Sequence, residues 1–375
     1  MPVLEKLCGS IGEGFTVVTL LHQSLEMGRV AVKTGNFPRR LIRGLSFTLL
    51  RLEDLGEGTP LSLDYAPSLP LVLLSLKPEV VISTNFNPWT LTSLLMGYPT
   101  ALFWEGTHHT ERTVGPSRMR LRKWIANRAK AFVVNGAMSR RYLIEAVGVD
   151  EHKIIEGGMC AMPAPAYVCS DPKGPSPGDR IRFLYVGRMV AGKGVAHLLH
   201  AAQLLKRRLA NKGQFEVVLL GDGPERSNYE GLAGDLGIDD CVHFVGYVHP
   251  DRVWEFYREA HVFVLPTLQD NWPLVVPEAM SAGLPILISR RAGSVPDLVR
   301  DGENGYSYEP ENREQLALHL EEYVGNPRLA RRHGQRSLEL VSHYNPERAA
   351  NSLLWAIAKA REGTQLTRSA LHADA

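Results

Sequence analysis

His261–Pro285 reads HVFVLPTLQDNWPLVVPEAMSAGLP. A short apolar run, Val262 to Leu265, passes into a polar loop, Thr267 to Asn271, and then into a helix-like segment that stops at Gly283-Leu284-Pro285. Asp270 and Glu278 are eight positions apart, about 80° around the axis of a single helix. Pro273 and Pro277 lie between them and argue against one helix. The stretch therefore predicts a strand whose carboxyl end carries Asp270, followed by a helix that begins at Pro277 with Glu278 in its first turn. In an open parallel sheet both carboxylates would face the crevice above the strand ends, where such sheets bind ligands. The free amides of the helix start suit a phosphate.

Outward from this stretch the same grammar repeats. Arg180 to Val186 is a strand, followed by Gly187-Arg188-Met189-Val190-Ala191-Gly192-Lys193-Gly194 and then a helix, Val195 to Leu209. Glycines let backbone approach a phosphate, and Arg188 and Lys193 supply charge. The loop is neither GxGxxG nor a P-loop, and a plain basic surface loop stays open as its other reading. Phe215 to Leu220 is the next strand and ends in the tight turn Gly221-Asp222-Gly223-Pro224. Asp251 to Ala260 is helical, with Val253, Trp254 and Tyr257 read as core contacts. Arg348 to Ala360 is a last amphipathic helix, and the polar tail after Glu362 is expected to be mobile.

The first half follows the same alternation. Phe15–Leu21, Glu79–Ser83, Thr100–Trp104, Ala131–Asn135 and Lys153–Glu156 read as strands, Gly35 to Arg43 as a basic turn, and Thr90–Met96 and Met119–Ala129 as helices. Short apolar strands between helices imply a parallel α/β sheet. Glu105, His108 and His109 follow strand Thr100–Trp104, where site residues of such sheets lie. Position alone leaves open a solvated Glu105 with two helix-capping histidines. A Pro- and Gly-rich stretch, 163–178, reads as the linker between two domains, 1–162 and 179–344.

The chain has 375 residues, is 44% hydrophobic and 22% charged, and carries a net charge of +2. That composition describes an ordinary globular protein of two domains and gives no reason to expect nucleic acid as a partner. Residues 1–165 hold 18 Lys and Arg against 14 Asp and Glu, which points to an anionic partner for the first half. Within it, Arg118 to Lys130 (RMRLRKWIANRAK) has two readings. It is a helix for an anionic membrane surface, or a core-packed helix with a solvated cationic face. The second is favoured, because few apolar side chains are available. Four scattered cysteines without CxxC spacing fit a reduced, cytoplasmic compartment, with the inner face of the membrane as an added possibility.

Gly187-Arg188, Lys193-Gly194, Gly221-Asp222-Gly223-Pro224, Phe244-Val245-Gly246 and Asp270…Glu278-Ala279-Met280…Gly283-Leu284-Pro285 occur in order over about 160 residues. In this register the second half resembles the family 4 retaining glycosyltransferases of the GT-B fold. The first half is similar more loosely. The resemblance implies two Rossmann-like domains across a cleft. The C-terminal one would hold a nucleoside-diphosphate sugar, the N-terminal one an acceptor of unidentified structure, and the last helix, 345–362, would cross back to the N-terminal domain. The implied activity is hexosyltransferase-like, of the kind used in polysaccharide biosynthesis, and needs no metal. Carried over residue by residue, Arg188 and Lys193 would meet the diphosphate, Asp270 the donor sugar, and Glu278 the ribose hydroxyls. Gly187, Gly221, Asp222, Gly223, Val245 and Gly246 would line the nucleotide, and Asn271, Trp272 and Leu274 would complete the donor site. This chain departs from the family pattern with Asp270 for a glutamate and Pro273 for a glycine. It also has Glu105-Gly106 for His-Gly, so Glu105 or His108 would take that histidine's place. The family's opening strand and glycine-rich loop do not appear, so the expectation is either an N-terminal sheet without its first strand or a misassigned start. The rival readings are another GT-B enzyme (an epimerase or a phosphorylase) and a non-catalytic nucleotide-sugar-binding protein.

Overall fold

The computed structural model describes residues 67–162, 164–165, 167–168, 180–209 and 214–373, with the backbone of four short strands within residues 17–65; side chains are described between 67 and 362. The linker expected over 163–178 lies mostly outside the described residues.

The C-terminal unit is built on a six-stranded parallel sheet. Its strands are β9 (Ile181–Val186), β10 (Phe215–Leu220), β11 (Val242–Gly246), β12 (Val262–Leu265), β13 (Ile286–Ser289) and β14 (Gly305–Tyr308), in the order β11-β10-β9-β12-β13-β14. Every residue of β12 and β13 is buried, as expected for strands covered on both faces by helices. Helix α5 (Val195–Leu209) buries Val195, Leu198, Leu199, Ala202, Leu205 and Leu209, an i, i+3, i+4 stripe, and packs on α10 (Arg313–Gly325). Helix α8 (Val275–Ser281) packs on α11 (Pro327–Val341). Strand order reverses between β9 and β12, so the loops leaving these two strands diverge around a crevice.

In the N-terminal unit, β5 (Val81–Thr84), β6 (Thr100–Trp104), β7 (Ala131–Val134) and β8 (Ile154–Glu156) form a parallel sheet in sequence order. The four earlier strands form pairs of their own: β1 (Val17–Leu21) with β2 (Arg39–Arg43), and β3 (Leu45–Leu50) with β4 (Leu61–Tyr65). Arg39–Arg43, expected within a basic turn, is thus an extended strand, because each of its residues has a register partner in β1. Helix α2 (Pro88–Leu95) starts two residues before the expected Thr90, because a proline and a capping side chain precede it. Pro88 occupies the first turn, and the Asn87 side chain accepts from the amides of Trp89 and Thr90.

Helix α3 (Pro116–Arg128) carries the basic stretch. Its Arg122 is 2% exposed. The guanidinium donates to Glu111 at 2.6 Å and to the Tyr142 hydroxyl at 2.5 Å, and lies against the rings of Phe86 and Trp104. This cation belongs to the N-terminal core, so the helix follows the packed reading. Arg118, Arg120 and Lys123 stay on its exposed face.

The last helix, α12, is longer than the periodicity suggested. It runs from Pro346 to Ala373, past the tail expected to be mobile after Glu362. It leaves the C-terminal unit and packs on β6, β7 and β8. Ala356 sits fully buried with Ala101, Ala131 and Val133, small residues that let helix and sheet approach. Ser352 donates to the Glu156 carbonyl at 3.1 Å. Arg361 pairs with Glu79 at 2.9 Å, an exposed contact that contributes little.

Candidate active site

The loop after β9 and the loop after β12 meet at the switch point. Lys193, in a single turn over Ala191–Lys193, pairs through Nζ with Oδ2 of Asp270 across 77 positions of sequence. The Leu268 amide and the Thr267 hydroxyl donate to the Gly192 carbonyl, at 2.9 and 3.2 Å, and tie the two loops together. Gly194 has φ +69°, and a Cβ there would overlap the Pro266 carbonyl. Gly221 has φ +130°, and its Cβ would overlap the Gly187 carbonyl, so the loops after β9 and β10 also touch through backbone alone. A Cβ on Gly223 would strike the Met189 carbonyl. Gly187 itself is crowded by the Tyr185 hydroxyl, which donates to the Arg188 carbonyl at 2.9 Å. The Arg188 side chain is exposed and makes no ion pair among the described residues. The result is a shallow floor of backbone with one free guanidinium and one ammonium whose counter-ion faces it. Asp222 is exposed and caps the Gly223 amide at 2.8 Å. Val245 is 39% exposed beside Gly246, whose carbonyl accepts from the Gly221 amide at 2.9 Å.

Helix α8 begins at Val275, two residues before the expected start at Pro277. The Val276 amide already bonds the Pro273 carbonyl at 3.1 Å, which closes the first turn early. Glu278 is still in that turn, half-buried. One carboxylate oxygen accepts from the buried Tyr257 hydroxyl at 3.0 Å, so the aromatic read as core also holds the carboxylate. Burial raises the Glu278 carboxyl above the usual range, and the Tyr257 hydrogen bond partly offsets this.

The carboxyl edges of the two sheets face each other. Helix α4 (Ala137–Tyr142) follows β7, and the short helix α9 (Val295–Leu298) follows β13. Asp297 accepts from the Ala137 amide at 3.1 Å and from the Trp272 indole at 3.4 Å, and a Cβ on Gly136 would overlap its carboxylate. Burial raises this carboxyl, while those two donors pull it down. A Cβ on Gly293 would overlap the Asn271 carbonyl and crowd Thr107 from the other unit. Trp272, expected at the donor, is 4% exposed, and its indole is spent on this seam. Leu274 is half-exposed just before α8.

Glu105 follows β6 as expected, half-buried, with no ion-pair partner among the described residues; burial raises its carboxyl. His108 is not joined to the other candidates. Its Nε2 lies 3.6 Å from Glu145 and its ring meets Tyr142 edge-on, both within the N-terminal unit. His109 is the histidine that senses the opposite unit. Burial lowers its pKa most, then Arg112, Arg291 and His108, against Glu309. Arg112, which only donates, contacts His109 Nδ1 at 3.3 Å and so favours the neutral ring with its proton on Nε2. Asp297, eight residues past the end of β13, had no distinguishing sign in the sequence, while His109 was marked only by its place after β6.

The family model "Glycosyl transferases group 1" matches residues 170–339. An alpha-D-kanosaminyltransferase of Streptomyces kanamyceticus is 31% identical over 176 residues, 47% of this chain and 45% of that protein. The first curated relatives are likewise matched over less than half of their own length. Among solved structures, a sucrose-phosphate synthase from Thermosynechococcus elongatus superposes with TM-score 0.67 at 19% identity, over 99% of this chain and 92% of that one. Anabaena HepE in complex with UDP superposes with TM-score 0.70 at 14% identity, over 98% and 95%. At these identities the structural likeness speaks for the fold. Two parallel-sheet α/β units face each other across a cleft in the GT-B fold, and the match to the glycosyl transferases group 1 model falls on the second of them.

Proposed function

We propose that this protein is a retaining glycosyltransferase that moves a sugar from a nucleoside diphosphate to an acceptor hydroxyl. The observation that carries this reading is the switch-point cluster: Arg188 unpaired, Lys193 set against Asp270, and glycine backbone beneath them. Departure of a nucleoside diphosphate concentrates negative charge on phosphate oxygens. Cations already in place stabilise that charge without reorganising when it forms. Glu278, steadied by Tyr257, offers a carboxylate to ribose hydroxyls, and Asp270 offers one to the donor sugar. Anabaena HepE has been solved with UDP, and with UDP and glucose, which supports a uridine nucleotide as the first to try. In this reading the diphosphate charge is met by protein cations and turnover survives chelation.

A thermal-shift screen of the purified protein against UDP, GDP, ADP, dTDP and their sugar conjugates, with EDTA present, tests the proposal. Ligand at about 100 times its dissociation constant stabilises by ~2.7 kcal/mol, well within detection. A shift with one nucleotide family, with release of diphosphate from its sugar conjugate, is the expected result. No shift with any of them sinks the reading.

A peripheral contact with anionic lipid is proposed for the exposed face of α3, through Arg118, Arg120 and Lys123; buried Arg122 takes no part. Co-sedimentation with phosphatidylserine vesicles should fall when these three are changed to glutamine. Sedimentation that does not depend on them removes the contact.

A further inference from the structure

The seam between the two sheets holds polar groups that no protein atom satisfies. Asn135, the residue after β7, is 2% exposed, and neither its amide nitrogen nor its oxygen has a partner. Asn271 Oδ1 and Ser294 Oγ are likewise buried and unpaired. An unpaired buried amide destabilises a fold, and such groups are few in native structures. Here three lie along one line of contact. Gly136 and Ala137, next to Asn135, meet Asp297; Gly293, next to Ser294, meets Asn271 and Thr107. They also stand beside the carboxyls already described. Trp104 and Val134 are register partners, so Glu105 and Asn135 are the adjacent next residues on β6 and β7. Asp270 and Asn271 are consecutive on the facing loop.

Each sheet therefore presents one carboxyl and one carboxamide at the same edge. Both groups are planar and carry paired hydrogen-bonding atoms. A carboxylate only accepts, while a carboxamide also donates. Neighbouring hydroxyls on a ring, each both donor and acceptor, match that set. Among the described residues, the cation paired with this set is Lys193, which is turned to Asp270.

We propose that Asn135, with Asn271 and Ser294, forms a subsite for the ring hydroxyls of an uncharged sugar, entered when Gly136 and Asp297 part. This rests on the glycosyltransferase reading and extends it to the N-terminal edge. The sugar is that of the donor or a free acceptor hexose, which present the same chemistry.

The test uses the full chain and compares wild type with Asn135→Leu, an apolar side chain of similar size. Dissociation constants are measured for UDP and UDP-glucose, or for whichever diphosphate and hexose conjugate the wild type binds. They are then measured for glucose, galactose, mannose and N-acetylglucosamine on diphosphate-saturated protein. The expected result is an unchanged diphosphate constant, within twofold. Beside it, at least a fivefold loss is expected either for the conjugate, assigning the donor sugar, or for a free hexose, assigning the acceptor. The melting temperature should hold or rise, since an unpaired amide is removed. If the leucine variant does not fold, Asn135→Ala replaces it in the same measurements. Binding of conjugate and hexoses that is indifferent to Asn135, while the diphosphate binds, overturns the subsite and leaves the transferase reading standing. Absence of any nucleotide binding by wild type removes both.

Discussion

Lys193→Ala is expected to lower diphosphate release from the nucleotide sugar by on the order of 10²–10³-fold, the usual cost of removing one preorganised group from a site of developing charge. Two effects add. The ammonium that would meet the leaving diphosphate is gone, and half-buried Asp270 loses its only ion-pair partner among the described residues. An uncompensated carboxylate beside the diphosphate would repel it, so nucleotide affinity should fall with turnover. Lys193→Arg should not restore the rate, because a planar fork cannot replace a compact ammonium in the single turn over Ala191–Lys193. Arg188→Ala separates charge from fold. Its side chain is exposed and unpaired, so the melting temperature should stay within about a degree while affinity falls at least tenfold. Calorimetric titration of the diphosphate and steady-state release rates on the three variants give the answer. A Lys193→Ala enzyme within threefold of wild type would place the leaving-group charge elsewhere.

Gly194→Ala should produce a large loss of stability. Its φ of +69° is costly for alanine, and the new carbon would overlap the Pro266 carbonyl, a backbone atom that cannot swing aside as a side chain can. Strain and overpacking of this kind together cost about 3 kcal/mol. In a chain of this size that is a fall in melting temperature on the order of 4 °C. Pro266 opens the loop that carries Asp270, so relief of the clash would also pull Asp270 from Lys193 and lower activity in the protein that still folds. Gly192→Ala is the control, two residues away. A Cβ there meets nothing within 4 Å, and no positive φ is required. A melting temperature for Gly194→Ala equal to that of Gly192→Ala would show that the two loops are not held in contact in solution.

Much of the fold follows from local chemistry. Short apolar runs such as Val262–Leu265 and Ile286–Ile288, too short for helices and each bounded by a Pro, read as strands buried on both faces, which calls for helices between them and a parallel sheet. Gly187, Gly194, Gly221 and Gly223 mark where backbone must pass against backbone, and the structure shows a carbonyl or a hydroxyl occupying each space a side chain would have filled. The turn that places Asp270 after a strand and Glu278 in the next helix was legible because two prolines rule out one continuous helix.

What the tertiary structure alone decided is which of these residues meet. Lys193 and Asp270 touch because β12 pairs with the free edge of β9, a strand order that no local pattern encodes. The same holds for the histidines. His108 and His109 are neighbours in sequence, yet His108 packs against Tyr142 and Glu145, while the pKa of His109 is lowered by burial first, then by Arg112 and by Arg291 from the other unit. Arg122 reads as one more surface cation in a basic run until Glu111, Tyr142 and two aromatic rings close around it. Asp297 and Asn135 carry no motif; they acquire their surroundings only when two separately folded sheets bring their carboxyl edges together. Composition and periodicity act within a few turns of chain and so set the elements. Contacts between distant loops depend on strand order and on the facing of two units, and these are settled by burial over the whole molecule.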